Sequence, residues 1–129
     1  MSEKRTTPNF EPALKTIAMP KDTNPNGDIF GGWLLSQMDL AGAVVVKEEC
    51  DGAVVTVAVD AMTFHEPVFI GDQVSCYVKI IKVGRTSVTV HIETWARRKK
   101  DRTDILVTEG HFTYVAIDSD RRPRPIYQD

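Results

Sequence analysis

The sequence predicts an α+β domain in which an antiparallel sheet wraps one long buried helix. Three observations carry this. Residues 29–50 are apolar around the whole circumference of a helix. After Asp51-Gly52 the apolar period falls from about 3.6 to two. The segments of the second half are separated by turn chemistry at Gly71-Asp72, at Gly84-Arg85 and in the run "RKKDRTD".

The elements follow in order. "ALKTIAM" (13–19) is a short apolar run closed by Pro20, and it reads as an edge strand. Residues 20–28 hold two prolines, two asparagines, two aspartates and a glycine, which is loop composition. The helix from Ile29 to about Cys50 carries Phe30, Trp33, Leu34, Leu35, Met38, Leu40 and Val44–Val46 in nearly every direction. A helix of that kind is buried. Asp28 stands where a carboxylate can cap its N-terminus, and Lys47 suits its negative end. Strands are expected at 53–62, 73–83, 86–96 and 104–117, joined as a meander. The phase slip at Ile81 in the second of these predicts a bulge. One sheet covers only part of such a helix. A second copy of the chain is expected to cover the rest, which makes an obligate dimer.

The totals exclude several classes. The 129 residues suffice for one domain, 1–129, with a core of about 12–125 and short flexible ends. A net charge of −2 exerts no general pull on nucleic acid or an anionic membrane. Residues 29–46 are apolar enough to raise the question of a membrane span. They carry Ser36, Gln37, Asp39 and three glycines, however, and a carboxylate at mid-bilayer costs about 2.5 kcal/mol or more. The two cysteines, Cys50 and Cys76, form no CxxC pair. That argues against a disulfide scaffold or structural zinc and suits the reducing cytoplasm. "MSEKRTTPNFEP" has no apolar signal-peptide core.

Chemistry concentrates in "DTNPNGDIFGGW" (22–33). It opens as an EF-hand loop does, with Asp22, Asn24, Asn26 and Gly27. Loop position twelve, which must supply a bidentate carboxylate, is Trp33, so no metal site is expected. "GDIFGG" matches neither GxGxxG nor GxxxxGK[ST]. Two adjacent glycines in a helix cost about 1 kcal/mol each relative to alanine. Either Gly31-Gly32 allows close packing, or it lets a ligand approach bare backbone N–H groups at the positive end of the helix, where an oxyanion would be held. Gly32, Ser36, Asp39, Gly42 and Ala43 share one small, polar face, and Asp39 is its only acid. Asp39 either bonds a neighbouring group or serves as general base or nucleophile. Seven residues separate it from Gly32, about 10 Å along one helix. If both act on a single small carbonyl, the acid must come from a second, oppositely running subunit, with two sites per dimer. His65, His91 and His111 lack HExxH spacing and GxSxG is absent, so the histidines read as packing or surface groups.

"AMPKDTNPNGDIFGGWLLSQMDLAGA" and "VTVAVDAMTFHEPVFIGDQVSCYVKIIKVGRTSVTVHIE" together resemble the hot-dog-fold acyl-CoA thioesterases, closely their bacterial YciA-type branch, over roughly residues 12–125. The resemblance implies metal-independent hydrolysis of acyl-CoA to a free acid and CoA. No cofactor is implied beyond the CoA of the substrate. It implies dimers assembled further as a homohexamer, a trimer of dimers. The family's catalytic acid falls on Asp39, its loop asparagine on Asn24 and its helix-start amide on Gly32, with Gly31 beside it. The turn Gly84, Arg85, Thr86, Ser87 matches a CoA-contacting segment, with Arg85 as phosphate partner. Phosphates require local basic groups on an acidic protein. Arg122 and Arg124 in the tail cluster with Arg121 are further candidates for a basic end closing over the nucleotide. Arg97, Arg98, Lys99, Lys100 and Arg102 read as a solvated hairpin tip. The alternative function is a non-catalytic acyl-CoA binding or sensing protein. A dehydratase of the same fold is weaker, because its histidine–aspartate pairing is not evident on the helix. Chain-length selection would depend on tunnel closure by Trp33, Met38 or Phe64.

Overall fold

The computed structural model describes residues 5–127. Strand β1 (Leu14–Ile17) leads through a 3₁₀ turn (Pro20–Asp22) to helix α1 (Gly31–Cys50). Four long strands follow: β2 (Val54–Phe64), β3 (Gln73–Val83), β4 (Ser87–Arg97) and β5 (Asp104–Ala116). All five strands form one antiparallel sheet in the order β1-β3-β4-β5-β2, and α1 packs on one face of it. The expected α+β architecture is therefore present, and β3 runs over the residues the alternation marked.

The order differs from the expected meander in one place. Only β3, β4 and β5 are joined as consecutive neighbours, while β2 lies at the far edge against β5. The chain leaves β2 at Phe64 and crosses the sheet end through 65–72, where His65 N–H and Glu66 N–H donate to the Val107 carbonyl. Three strand spacings, about 14 Å, are within the reach of eight extended residues. The alternation of a strand fixes which face it buries but not which strand lies beside it.

The core lies between α1 and the sheet. Met38, Ala41, Val46 and Cys50 meet Val88, Val90, Ile92, Phe112 and Tyr114. A second cluster at the helix N-terminal end joins Leu34 and Ile29 to Val68, Val74 and Val107. Within one chain α1 is covered on one side only: Leu40 is 56% and Val44 44% exposed, as are Val57 (55%) and Phe64 (52%) on the neighbouring edge strand. Met38, by contrast, is fully buried and takes no part in any surface a second chain could line.

The bulge expected beyond Ile80 is present as a register shift between Ile80 and Lys82. Strand β2 carries two further shifts, one after Thr56 and one after Asp60, where Ala61 takes a φ of 54°. The second lets Met62 Sγ lie over Gly110, which has no Cβ to obstruct it.

Helix ends correct two expectations. The N-cap is Phe30, and no side chain caps the helix; Asp28 does not serve. At the C-terminal end Asp51 is left-handed (φ 50°), and Arg124 fills the gap over Gly52. Its guanidinium donates to the Cys50 and Ile117 carbonyls at 3.4 and 3.0 Å. The tail to Tyr127 is therefore stapled. Arg124 N–H donates to Ala116, Ile126 N–H donates to Arg85, and Ile126 is 2% exposed.

The opposite face of the sheet is polar. His65, His91 and His111 lie there with Glu93 and Glu109, and Arg5 donates to Glu109 Oε2 at 2.7 Å and to Glu93 Oε2 at 3.1 Å. Burial works against ionisation of Glu109, but the bonds from Arg5 and His65 prevail and hold its carboxyl below the usual range. Its contribution to stability is thus present above the ordinary glutamate pKa and fades as pH falls through the lower folded value. His91, Glu93 and Glu109 place ligand-type atoms within 4.8 Å of one another, and Arg5 pairs both carboxylates.

Candidate active site

Asp39 sits in the middle of α1, partly buried, and faces the sheet near its edge. Two inward side chains from adjacent strands converge on it. Thr56 of β2 and Tyr114 of β5 are directly paired across the ladder, so both project to the helix side. Thr56 Oγ1 donates to Asp39 Oδ1 at 2.6 Å. The Tyr114 hydroxyl lies 3.0 Å from the same oxygen and 2.9 Å from the Asp39 carbonyl. Among the described residues Oδ2 accepts no hydrogen bond. Burial of the ring, reinforced by the adjacent carboxylate, pushes the Tyr114 phenol far above its ordinary range, so it stays a neutral donor.

Tyr114 reaches Asp39 because residue 42 is glycine. A methyl built on Gly42 would overlap the Tyr114 hydroxyl and come within 2.9 Å of its Cζ. Gly42→Ala is expected to lower stability by about 1–2 kcal/mol, because overpacking exceeds the gain in helix propensity. Chemical denaturation checks this against the wild type.

The other half of the candidate set gathers at the N-terminal end of α1. The loop 22–30 is tied by Asn24. Its Oδ1 accepts from Asn26 N–H at 2.9 Å and Asp28 N–H at 3.1 Å, and its backbone exchanges bonds with Asp28 and Gly27. Since two N–H donors fix the oxygen, the amide Nδ2 is the end left for a ligand. Gly27 turns the loop with a φ of 89°, a conformation suited to glycine. The Gly31 and Gly32 N–H groups donate to nothing among the described residues, as befits a helix start without a side-chain cap. A Cβ at Gly32 would meet no atom within 4 Å, and one at Gly31 would make only ordinary contact with the Phe64 ring. Close packing within the chain therefore does not explain Gly32. Asn24, Asp28, Gly31 and Phe64 line a cavity of about 320 Å³.

The chain thus brings Asn24, Gly31 and Gly32 together at one end of the sheet, beside Phe64. It holds Asp39 separately, towards the other end. Asp39 shares its end with the turn Gly84–Ser87, since Tyr114 pairs with Val88 next to Ser87. That turn is closed by a Gly84 N–H bond to the Ser87 carbonyl at 2.7 Å. Arg85 is exposed, with its backbone bonded to the tail, and Thr86 accepts from Ala116 N–H. Arg122 is exposed, whereas the Arg124 guanidinium is taken up at the helix C-terminus. Of the hairpin-tip cluster, Arg97 pairs with Asp104 and Arg98 with the buried Asp72, while Lys99, Lys100 and Arg102 are exposed.

Sequence reasoning missed Thr56 and Tyr114. The signal was available: an acid on a buried helix needs donors, and both residues stand at inward strand positions. Cys76 is a buried thiol whose pKa burial pushes up to about 11 against the pull of Thr94. Iodoacetamide at pH 8 is expected to leave it unmodified in the native protein, by mass spectrometry.

Comparison with known proteins finds a family model described as the thioesterase superfamily over residues 26–103. The acyl-CoA thioester hydrolase YciA of Salmonella typhimurium is 50% identical over 123 residues, covering 93% of this chain and 92% of that protein. Among solved structures, the hexameric thioesterase of Yersinia pestis superimposes with a TM-score of 0.88 at 53% identity, covering 95% of this chain and 100% of that one. A hexameric hotdog-fold thioesterase of Campylobacter jejuni gives 0.87 at 49% identity, covering 92% and 91%.

Proposed function

The chain belongs to the thioesterase superfamily, and from that premise we propose that it hydrolyses acyl-CoA to a free carboxylic acid and CoA at sites shared between two subunits. The observation that carries this is Asp39, the one acid on the small-residue face of α1, whose Oδ1 is anchored and whose Oδ2 accepts no hydrogen bond among the described residues. Asp39 either removes a proton from water, which attacks the thioester carbonyl, or attacks that carbonyl itself and is released by water. In both routes the C–S bond breaks and CoA leaves as its thiol.

The developing oxyanion is met by the Gly32 N–H, with Gly31 beside it, at the positive end of α1. Asn24 Nδ2 orients the carbonyl or the water. Because these groups lie at the N-terminal end of α1, about 10 Å along the helix from Asp39, the working site takes Asp39 from one protomer and the Gly31–Gly32 end from its partner. The open edge of β2 and the exposed Leu40, Val44 and Val57 beside it support such a pairing. Two sites per dimer follow by symmetry. Further assembly to a hexamer is supported by the hexameric Yersinia pestis and Campylobacter jejuni proteins.

The CoA phosphates are assigned to Arg85 in the turn Gly84–Ser87, with Arg122 as a second cation. Arg124 acts there only by holding the tail, since its guanidinium is engaged at the helix end. No metal step is needed in either route. The two buried free thiols suit a cytoplasmic protein.

Release of free thiol from short, medium and long acyl-CoAs, followed with a thiol-reactive dye, tests the reading. Turnover is expected, with a solution mass that is a multiple of the dimer. Tight binding of acyl-CoA without thiol release would make the protein a sensor instead.

A further inference from the structure

We infer that Tyr114 is a positioning residue for the reaction, pinning Oδ1 of Asp39 so that Oδ2 is the oxygen presented to the reactant, and that Gly42 is the clearance this requires. The inference rests on the reading of Asp39 as the reactive acid.

The carboxylate torsion of an aspartate is broad and roughly two-fold, so a free Asp39 would present either oxygen. Two donors on one oxygen remove that freedom. They differ in burial. Thr56 is exposed within one chain, on the strand whose free edge the proposed dimer uses. The Tyr114 side chain is fully buried, stacked beside Phe112 with ring centroids 6.5 Å apart, and on a central ladder bonded on both sides. Its hydroxyl spans the Asp39 carbonyl (2.9 Å) and Oδ1 (3.0 Å), which ties the side chain to the helix backbone it hangs from. Only a residue without Cβ at position 42 admits the phenol to that place. Tyr114 touches no reactant. It acts through Asp39 by fixing which lone pairs face outward.

The test is Tyr114→Phe, which keeps the ring and removes the hydroxyl, assayed beside Asp39→Asn and Gly42→Ala. Thiol release is measured well below each variant's melting temperature. Tyr114→Phe is expected to lower kcat about ten-fold or more with KM within two-fold, the effect of losing one hydrogen bond to a charged group. Gly42→Ala, which displaces the hydroxyl, is expected to lower kcat similarly. The double variant Gly42→Ala/Tyr114→Phe keeps the overlap at the ring Cζ and so loses further stability, but with no hydroxyl to displace its kcat should fall no further than that of Tyr114→Phe, whereas an effect of residue 42 apart from the hydroxyl would multiply in kcat. If Asp39→Asn is inactive while Tyr114→Phe keeps wild-type kcat, the inference is overturned and the reading of Asp39 stands. If the double variant is multiplicatively worse in kcat, Tyr114 is merely structural and the inference is likewise overturned. If Asp39→Asn itself turns over normally, the reading of Asp39 falls and the inference with it. Should Tyr114→Phe not fold, Gly42→Ala with wild-type kcat overturns it.

Discussion

Asp39→Asn is expected to lower kcat for acyl-CoA hydrolysis by about 10³-fold, within the range a positioned base or nucleophile supplies. The fold should survive. An asparagine carbonyl oxygen at the Oδ1 position can still accept from Thr56 and Tyr114, and the Tyr114 hydroxyl keeps the residue 39 backbone carbonyl at 2.9 Å. The substitution therefore removes charge and basicity while leaving both anchoring bonds in place. KM and the melting temperature are expected to move little, which separates lost chemistry from lost structure. Near wild-type turnover by the folded variant would remove Asp39 from the mechanism. Label on Asp39 after a single turnover of the native enzyme in ¹⁸O water then identifies the nucleophilic route, whereas label in the acid alone fits general-base attack or water attack at the acyl carbon of an anhydride. A general base sends the label into the acid product. A nucleophilic Asp39 regenerated by water attack on its own carbonyl takes the label itself.

The elements of the fold were legible because they are written in local periodicity. The continuous apolar character of 29–50, the alternation of 73–83 and the slip beyond Ile80 each report on the faces of one segment. The position of β2 beside β5 was not legible, because no local pattern in "VVTVAVDAMTF" states its neighbour. The helix start was misread for a related reason. Asp28 has the right chemistry for a cap and stands close to the helix start, yet the loop tied by Asn24 makes Phe30 the N-cap. Arg124 looked like a phosphate ligand because clustered arginines signal anion binding. Its actual partners are the main-chain carbonyl of Cys50, 74 residues away at the C-terminal end of α1, and that of Ile117, seven residues away. Asp39 stood out as the one acid on a small-residue face, but its partners Thr56 and Tyr114 are polar groups among strand residues and become visible only when the ladder pairs them. Gly42 was read as part of that small face. Its specific reason, room for a phenol, lies in the tertiary contact.

Gly32→Pro is expected to lower kcat by about 10²-fold or more, the effect of losing one oxyanion donor. Proline is tolerated in the first helical turn, where the N–H has no intrahelical acceptor, so the exchange deletes a donor without deleting a helix bond. The Gly32 N–H has no acceptor among the described residues, and a Cβ there meets no atom within 4 Å. The side-chain atoms that proline adds must be accounted for separately, since they too can obstruct a thioester approaching the backbone. Gly32→Ala supplies that control. It adds the Cβ, keeps the N–H and improves helix propensity by about 1 kcal/mol. Its expected effect is a raised KM with kcat largely kept, so the difference in kcat between the two variants isolates the donor. The two-subunit site makes a stronger prediction from the same pair. In mixed oligomers of Gly32→Pro and Asp39→Asn chains, each parent is nearly inactive, but a mixed dimer places one intact acid opposite one intact amide. Co-refolded mixtures are expected to regain up to about a quarter of wild-type activity, the share of sites that random pairing leaves whole. Absence of any recovery in a verified mixed dimer would show that both groups belong to sites within a single chain or that one of them takes no part.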